Sequence, residues 1–231
     1  MERELNYEVG SNTQIAPTAV IGKDCKIGDN VIIHHYVVIY DGTEIGDGTE
    51  IFDHAVIGRP PKSSGNLVSK IEDKNIPVRI GKNTVIGAIA IIYSGCVLGD
   101  NVMIGDGASM REGCILEDKV LVAKYVTLNH HVTIKENSKI MDLAHITSRT
   151  IIEKNVFVAP GVMSANDNDM RIKGTPVTNQ IVLNEECKIG AGAVILPNVK
   201  VGERAVVGAQ AVVSRDVSAD TRVMGIPAKE R

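Results

Sequence analysis

An aliphatic residue returns every six positions along most of the chain, and this period restricts the possible folds more than any other feature. The 231 residues hold 28 such hexads, whose first members run from Ile15 to Ile57, from Ile80 to Val158 and from Leu183 to Val213. A half-buried strand in a flat sheet alternates apolar and polar residues with a period of two. A period of six instead predicts short strands separated by corners.

A second position of each hexad also points inward. The residue four places after the aliphatic one is Ala, Cys, Val, Thr, Ser or Pro in every hexad, so this site accepts only small side chains. Three places after the aliphatic residue stands Gly, Asn or Asp in 15 hexads, and these residues tolerate a left-handed backbone at little cost. Each hexad therefore predicts a short strand, a corner and two inward side chains.

This pattern resembles the hexapeptide-repeat acyltransferase family, whose chains coil as a left-handed parallel β-helix with three hexads in each triangular turn. The left hand is implied by the resemblance alone. We therefore expect an all-β fold of about nine turns, in which residues 18 apart lie above one another. The prediction is a single domain, 1–231, with a β-helix over 15–217, projecting loops at 59–79 and 167–182, and a short C-terminal tail at 218–231.

Composition excludes several functional classes. Hydrophobic residues make up 44% of the chain and charged residues 23%, as expected for a globular protein and not for a disordered one. The net charge of −3 gives no basic excess for nucleic acid. Because the sequence has no long apolar span and no signal-peptide pattern at its start, we expect no membrane association and a cytoplasmic location.

The four cysteines are predicted to be core residues. Cys25, Cys96, Cys114 and Cys187 all occupy the small inward position of their hexads. Buried cysteine behaves as a small hydrophobic residue, so neither a metal site nor a thiol nucleophile is expected.

His130 is the candidate general base. It stands two places after Leu128, on a predicted corner that faces outward. Lipid A acyltransferases and the sugar N-acetyltransferases similar to them carry a general-base histidine at this register, followed by an acidic residue. Here His131 takes the place of that acid. His131 or His145 as the base, and a reaction that uses no protein base, remain alternatives.

Stacking by 18 residues supplies candidate partners for His130. Glu112 falls one turn before it, where a carboxylate would hold one tautomer and raise the basicity of the ring. Ser94 and Ser148 fall on the same outward corner. Residues 156–167 are similar to a segment of nucleotide-sugar N-acetyltransferases, and this resemblance implies that Asn166 and Asp167 face an amino sugar. The predicted substrate-binding residues are Asn166, Asp167, His131, His145, Ser148 and Ser94.

The last third of the chain resembles the terminal coils of the acyltransferases, including Met224-Gly-Ile-Pro-Ala-Lys229. In those relatives the pantetheine arm of coenzyme A lies in a groove between two subunits of a trimer. The resemblance therefore implies a homotrimer with sites between its subunits. The implied cofactor-binding residues are Gly192, Ala193, Ala211, Arg215, Arg222 and Lys229.

The predicted function is acyl-CoA-dependent N-acyl transfer to the amine of a nucleotide-linked amino sugar, with acetyl-CoA or a longer acyl-CoA as co-substrate and no metal. O-acylation of a sugar hydroxyl is the first alternative. A zinc carbonic anhydrase on the same scaffold is disfavoured because its histidine spacing is missing. A β-helix without catalytic activity is the remaining alternative.

Overall fold

The computed structural model describes residues 6–65, 76–168 and 180–230, which form a left-handed parallel β-helix. Its strands, most of them two residues long, make three sheets that we call faces A, B and C. The described residues contain no helix of the length and apolar content needed to cross a membrane. The predicted all-β fold is confirmed.

Each face is a ladder of strands contributed by successive turns. Face A consists of Glu8–Val9, Lys26–Ile27, Glu44–Ile45, Arg79–Ile80, Val97–Leu98, Ile115–Leu116, Thr133–Ile134, Ile151–Ile152, Val182–Leu183 and Lys200–Val201. Face B consists of Gln14–Ile15, Ile32–Ile33, Glu50–Ile51, Val85–Ile86, Met103–Ile104, Leu121–Val122, Lys139–Ile140, Phe157–Val158, Lys188–Ile189, Val206–Val207, Arg222–Met224 and Lys229–Glu230. Face C consists of Val20–Ile21, Val38–Ile39, Val56–Arg59, Ile91–Tyr93, Ser109–Met110, Thr127–Leu128, His145–Ile146, Met163–Ser164, Val194–Ile195 and Val212–Val213.

The helix has about eleven turns, two more than the nine predicted from the hexads. At the start, Glu8–Val9 adds a strand that pairs with Lys26–Ile27. At the end, the last turn is shorter: Val223 pairs with Val207, 16 residues before it instead of 18. This shortening breaks the six-residue frame, so part of the predicted tail, Arg222–Met224, belongs to face B.

The inward positions behave as the sequence predicts. The aliphatic residues from Ile27 onward are buried in one continuous core, together with the small residues four places after them. Several of those small residues also donate hydrogen bonds to backbone carbonyls of the next turn: Cys114 Sγ reaches Asn129 O at 3.1 Å, and Ser138 Oγ reaches Glu153 O at 2.7 Å. Where the small inward residue is Cys, Ser or Thr, it can therefore satisfy a backbone carbonyl as well as fill the core.

The three corners share one backbone conformation and differ in their side chains. We name them A/B, B/C and C/A after the faces that they connect in chain order. At most corners the third residue after the aliphatic one has a positive φ, including Asn101 (57°) at A/B, Tyr125 (54°) at B/C and His131 (57°) at C/A. A left-handed backbone is demanded by the corner geometry, whatever residue stands there.

Aspartates of one turn occupy space left by glycines of the turn before. A Cβ on Gly28 would lie 2.4 Å from Asp47 Oδ1, and that oxygen accepts the backbone N–H of Asp29 at 3.0 Å. The glycine that often follows the aliphatic residue is thus required by close approach of the next turn.

Candidate active site

His130 lies at the C/A corner, just after the face-C strand Thr127–Leu128. Its side chain is half-buried, and its backbone N–H donates to Asn129 Oδ1 at 3.0 Å. Its ring meets the ring of His131 edge-on, with 5.3 Å between the centroids. The imidazole therefore stands on a rigid corner and keeps access to solvent.

The predicted stacking of the column is confirmed. Met110 pairs with Leu128, and Leu128 pairs with Ile146, so the corners that follow these strands lie one above another. The backbone N–H of His131 donates to Glu112 O at 3.0 Å, which joins the His130 corner to the corner before it. Glu112 is thus a direct neighbour of the His130 turn.

The side chain of Glu112 is held by Arg111, a residue that the sequence did not single out. Arg111 Nη2 donates to Glu112 Oε1 at 2.7 Å and Arg111 Nε to Glu112 Oε2 at 3.1 Å. A third donor, Arg111 Nη1, reaches Asn129 Oδ1 at 3.2 Å. Among the contacts of the described residues, no hydrogen bond joins Glu112 to His130.

The pKa of His130 is lowered from its ordinary value. Burial is the largest cause, because it penalises the charged imidazolium, and the positive charge of Arg111 acts in the same direction. The charge of Glu112 raises the pKa but is outweighed. The increase in basicity expected from Glu112 is therefore reversed in the net effect, and His130 is kept neutral, as a proton acceptor must be.

Ser94 and Ser148 are brought into the same column but do not face outward as expected. They are only 3% and 5% exposed. Chain that returns to the helix lies against both corners: Gly95 N donates to Ile76 O, and Gln180 Nε2 donates to Arg149 O. Their predicted outward orientation is therefore wrong, and substrate contact through these two hydroxyls stays a prediction.

His131 and His145 lie on either side of the column. His131 is exposed, and its ring covers Gly113, where a Cβ would lie 2.4 Å from His131 Nδ1. His145 lies on face C one turn after Thr127, with 2.7 Å between His145 Nδ1 and Thr127 Oγ1. Burial lowers the pKa of His145. His131 thus contacts the His130 ring directly, whereas His145 lies on face C in the strand that leads into the next C/A corner.

Both interruptions of the repeat start at the C/A corner. The first begins after the face-C strand Val56–Arg59, and the second follows the face-C strand Met163–Ser164. Asn166 is exposed and Asp167 is half-buried, directly after the second of these strands. Residues 66–75 and 169–179, which make up much of the predicted loops 59–79 and 167–182, lie outside the described residues. The His130 column stands between the two points of departure.

Ser164 occupies an inward position that is aliphatic in the other hexads. Its Oγ accepts the N–H of Thr147 at 2.7 Å and donates to His145 O at 2.9 Å. The repeat therefore continues one hexad further than the aliphatic pattern shows. Ser164 stabilises the strand that carries His145 and leads to Asn166.

The implied coenzyme residues separate into two groups. Ala193 and Ala211 are completely buried, because they occupy the small inward position, so the expectation that they line a surface groove is wrong. Gly192 lies at the B/C corner with a φ of +66°. The exposed cations are Arg215 at the C/A corner, Arg222 in the final parallel strand of face B and Lys229 in the strand beside it.

The four cysteines are core residues, as the sequence predicts. All four cysteines are buried free thiols, and burial raises the pKa of Cys187 to about 12. Within the described ranges no group of three or more His, Cys, Asp or Glu side chains is arranged to hold a metal ion.

The sequence matches the family of bacterial transferase hexapeptide proteins (six repeats) over residues 6–39, 24–59, 77–112 and 181–215. Those segments make up more than half of the chain. The protein belongs to this hexapeptide-repeat family.

Relatives that match part of the chain include acetyltransferases. A 2,3,4,5-tetrahydropyridine-2,6-dicarboxylate N-acetyltransferase of Staphylococcus aureus is 41% identical over 76 residues, covering 33% of this chain and 30% of the relative. A putative acetyltransferase of Schizosaccharomyces pombe is 35% identical over 98 residues, covering 40% of this chain and 45% of the relative. The chain thus spans 30% and 45% of the length of these two relatives.

Solved structures show the same fold over nearly the whole chain. A UDP-N-acetylglucosamine acyltransferase of Arabidopsis superposes with a TM-score of 0.63 at 19% identity, covering 99% of this chain and 70% of that one. The corresponding acyltransferase of Campylobacter jejuni gives a TM-score of 0.54 at 22% identity, covering 99% and 71%. At these identities the likeness concerns the fold.

Proposed function

We propose that the protein is an acyl-CoA-dependent N-acyltransferase that acylates the amine of a nucleotide-linked amino sugar, with His130 as the general base. The observation that carries the proposal is the C/A corner: a half-buried histidine with a lowered pKa stands between the two points where the six-residue repeat is interrupted. Membership of a transferase family and partial identity to acetyltransferases support acyl transfer.

The C/A corner is proposed to supply a proton acceptor, His130. The acceptor amine attacks the thioester carbonyl, so a C–N bond forms and the C–S bond breaks. Neutral His130 takes the proton that the new ammonium loses and returns it to the leaving thiolate. Backbone N–H groups would stabilise the oxyanion, and holding both substrates beside one corner supplies orientation. Asn166, Asp167, His131 and His145 border this corner and are proposed to contact the acceptor.

The remaining coenzyme candidates fit a phosphorylated co-substrate. Arg222 and Lys229 are exposed and lie in neighbouring strands of face B, so two positive charges are close together near the end of the helix. Gly192 leaves its corner open, since only Gln210 would approach a Cβ placed there, at 3.6 Å. We propose that this end of the chain binds acyl-CoA, with Arg215 as a further phosphate contact.

We propose that the functional unit is a homotrimer with sites between its subunits. The B/C corner supports self-association, because it presents a column of large residues in left-handed conformation: Tyr36, His54, Ile89, Tyr125 and Leu143. We call this column the B/C ridge. Its four apolar members are 49–64% exposed, an arrangement that an isolated chain does not need. The four free thiols fit a cytoplasmic location, which is also proposed.

A thiol-release assay tests the function. Acetyl-CoA and longer acyl-CoAs are combined with nucleotide-linked amino sugars, with matched sugars that carry a hydroxyl instead of the amine, and with a dicarboxylate amine. Release that requires a nucleotide amino sugar is expected. Release with hydroxyl acceptors only would favour the O-acyl alternative. Release with the dicarboxylate amine only would place the acceptor in the class named by the Staphylococcus relative, and no release by a folded trimer would contradict the proposal.

A further inference from the structure

Arg111 connects two successive turns at the C/A corner. Two of its nitrogen atoms donate to the two oxygens of Glu112, and its third donates to Asn129 Oδ1. That same Asn129 oxygen accepts the backbone N–H of His130. The guanidinium therefore fastens the turn that carries Glu112 to the turn that carries His130.

The surroundings of this contact favour a rigid arrangement. The side chains of Arg111 and Glu112 are 33% and 17% exposed, so the pair is partly desolvated and screened less than a surface ion pair. Elsewhere on the helix the ion pairs are more exposed, as for Lys82 with Asp47. An arginine fork that satisfies both carboxylate oxygens also fixes the orientation of its partner.

We propose that Arg111 is a positioning residue for His130, which clamps Glu112 and Asn129 so that the imidazole is held at a fixed place on the corner. The proposal rests on the proposed role of His130 as base. It assigns to Arg111 no contact with the substrates: Arg111 acts through Asn129, whose side chain fixes the backbone of His130, and through Glu112, whose carboxylate it engages.

The charges around His130 give the clamp a measurable signature. Arg111, His131 and Arg149 are the positive or ionisable groups that lower the pKa of His130, and Glu112 is the group that raises it. Removing the charge of Arg111 would take away a lowering influence and leave the charge of Glu112 without its partner. Both changes raise the pKa of His130, so a larger fraction of the base is protonated at neutral pH.

The experiment compares Arg111→Met, which removes fork and charge, with Arg111→Lys, which keeps the charge and removes the fork. The pKa of His130 is measured by NMR titration of histidine-labelled protein, with His130→Asn to assign the signal, and kcat is measured by thiol release. We expect Arg111→Met to raise the pKa of His130 and to lower kcat about tenfold or more. Arg111→Lys should leave the pKa near that of the wild type and still lower kcat about tenfold.

Arg149→Met is the matched control. Arg149 lies at the C/A corner one turn beyond His130. It also lowers the pKa of His130, but its influence is the smallest of those named. It should change the pKa and kcat less than Arg111→Met does. If Arg111→Met does not fold, Asn129→Ala removes the other end of the clamp and should lower kcat in the same direction.

The outcomes separate the clamp from the proposed function. An unchanged pKa of His130 in folded Arg111→Met, with kcat within twofold of wild type in both Arg111 variants, would overturn the clamp while acyl transfer stands. If the wild type releases no thiol with any acceptor, the proposed function fails. The NMR titration still decides on the clamp: an unchanged pKa of His130 in Arg111→Met overturns it, and a raised pKa supports it.

Discussion

The C/A and B/C corners are built on the same backbone and carry opposite kinds of side chain. At C/A the column holds Glu112, His130 and the buried serines, and both long interruptions of the repeat start there. At B/C five of the left-handed positions are occupied by the B/C ridge, whose aromatic and aliphatic side chains project outward, and others, such as Gly107 and Gly192, are glycines. The fold demands only the corner conformation, so the difference must come from what each corner does.

The residues of the B/C ridge adopt an unfavourable backbone conformation, so the contrast between the two corners is informative. Asn, Asp and Gly occupy the left-handed conformation readily, and the A/B corner uses Asn at most of these positions. Ile89, at a φ of 54°, is β-branched and pays about 1 kcal/mol or more for the same geometry. Tyr36 and His54 stack on each other, with ring centroids 5.0 Å apart, and Tyr36 is still 56% exposed. We interpret C/A as the catalytic corner and B/C as the associating corner.

The largest expected effect is on turnover at the C/A corner. His130→Asn should lower kcat by roughly 10²–10⁴-fold, because it removes the proton acceptor from a rigid position, and should leave the trimer intact. His35→Asn, which stands two places after Ile33 as His130 does after Leu128, is the matched histidine control and should retain turnover within about threefold. A loss of less than threefold in His130→Asn would contradict the assignment, and a collapse in a His131 or His145 variant instead would move the base.

The proposed role of the B/C ridge in self-association is tested by introducing a charged residue. Leu143→Asp places a carboxylate on the most exposed apolar residue of the ridge, so light scattering should show the mass of one 24.8 kDa chain instead of three. Turnover should fall at least tenfold if the sites lie between subunits. Asn101→Asp, at the equivalent left-handed position of the A/B corner, should remain a trimer. A trimeric Leu143→Asp protein would remove the ridge from the interface.

The pH dependence of kcat/KM tests the environment of His130. A base acts only when neutral, so activity is lost as the pH falls through its pKa. Burial and the charge of Arg111 lower that pKa, so the acid limb should have its midpoint below 6.5. A midpoint above 6.5 would show that Glu112 dominates the electrostatics of the corner, as the sequence alone suggested.

The smallest effect is expected in the core. Cys114→Ala should lower the free energy of unfolding by about 1–2 kcal/mol, because it leaves a small cavity and removes the bond to Asn129 O. Turnover should be unchanged. Cys114→Ser keeps a donor at the same place and separates the lost bond from the lost volume. Inactivation of a folded, trimeric Cys114→Ala protein would mean that the thiol has a role in catalysis.

Period six was sufficient to predict the short strands, the corners and the inward positions, because these follow from a strict repeat. The three-sided turn, and with it the stacking of Glu112 below His130, was implied by the family resemblance. The frame failed where the repeat changes. Ser164 is polar at an aliphatic position, and Val223 follows a turn that is two residues shorter. A count of aliphatic residues cannot register either change.

The site was less predictable because corner side chains interact across turns. Ser94 and Ser148 stand in the predicted column, but chain that rejoins the helix beside them leaves them buried. Arg111 was missed because its position is occupied by unrelated residues in neighbouring hexads, and only the structure shows its three hydrogen bonds. The one signal in the sequence was that Arg111 and Asn129 are 18 residues apart, so that they lie above one another in successive turns. The sequence was sufficient to exclude Ala193 and Ala211 as coenzyme contacts, since the hexad frame already directs both side chains inward.

The most direct test of the two-corner account is one NMR experiment on histidine-labelled protein, because the six histidines divide between the corners. His34, His35 and His54 lie at or beside the B/C corner near the start of the helix, whereas His130, His131 and His145 border the C/A corner. A non-reactive thioether analogue of acetyl-CoA is added, followed by the amine acceptor. The account predicts shifts of the His130, His131 and His145 signals, with the other three unmoved. Shifts confined to His34, His35 and His54, or none at saturating ligand, would contradict it.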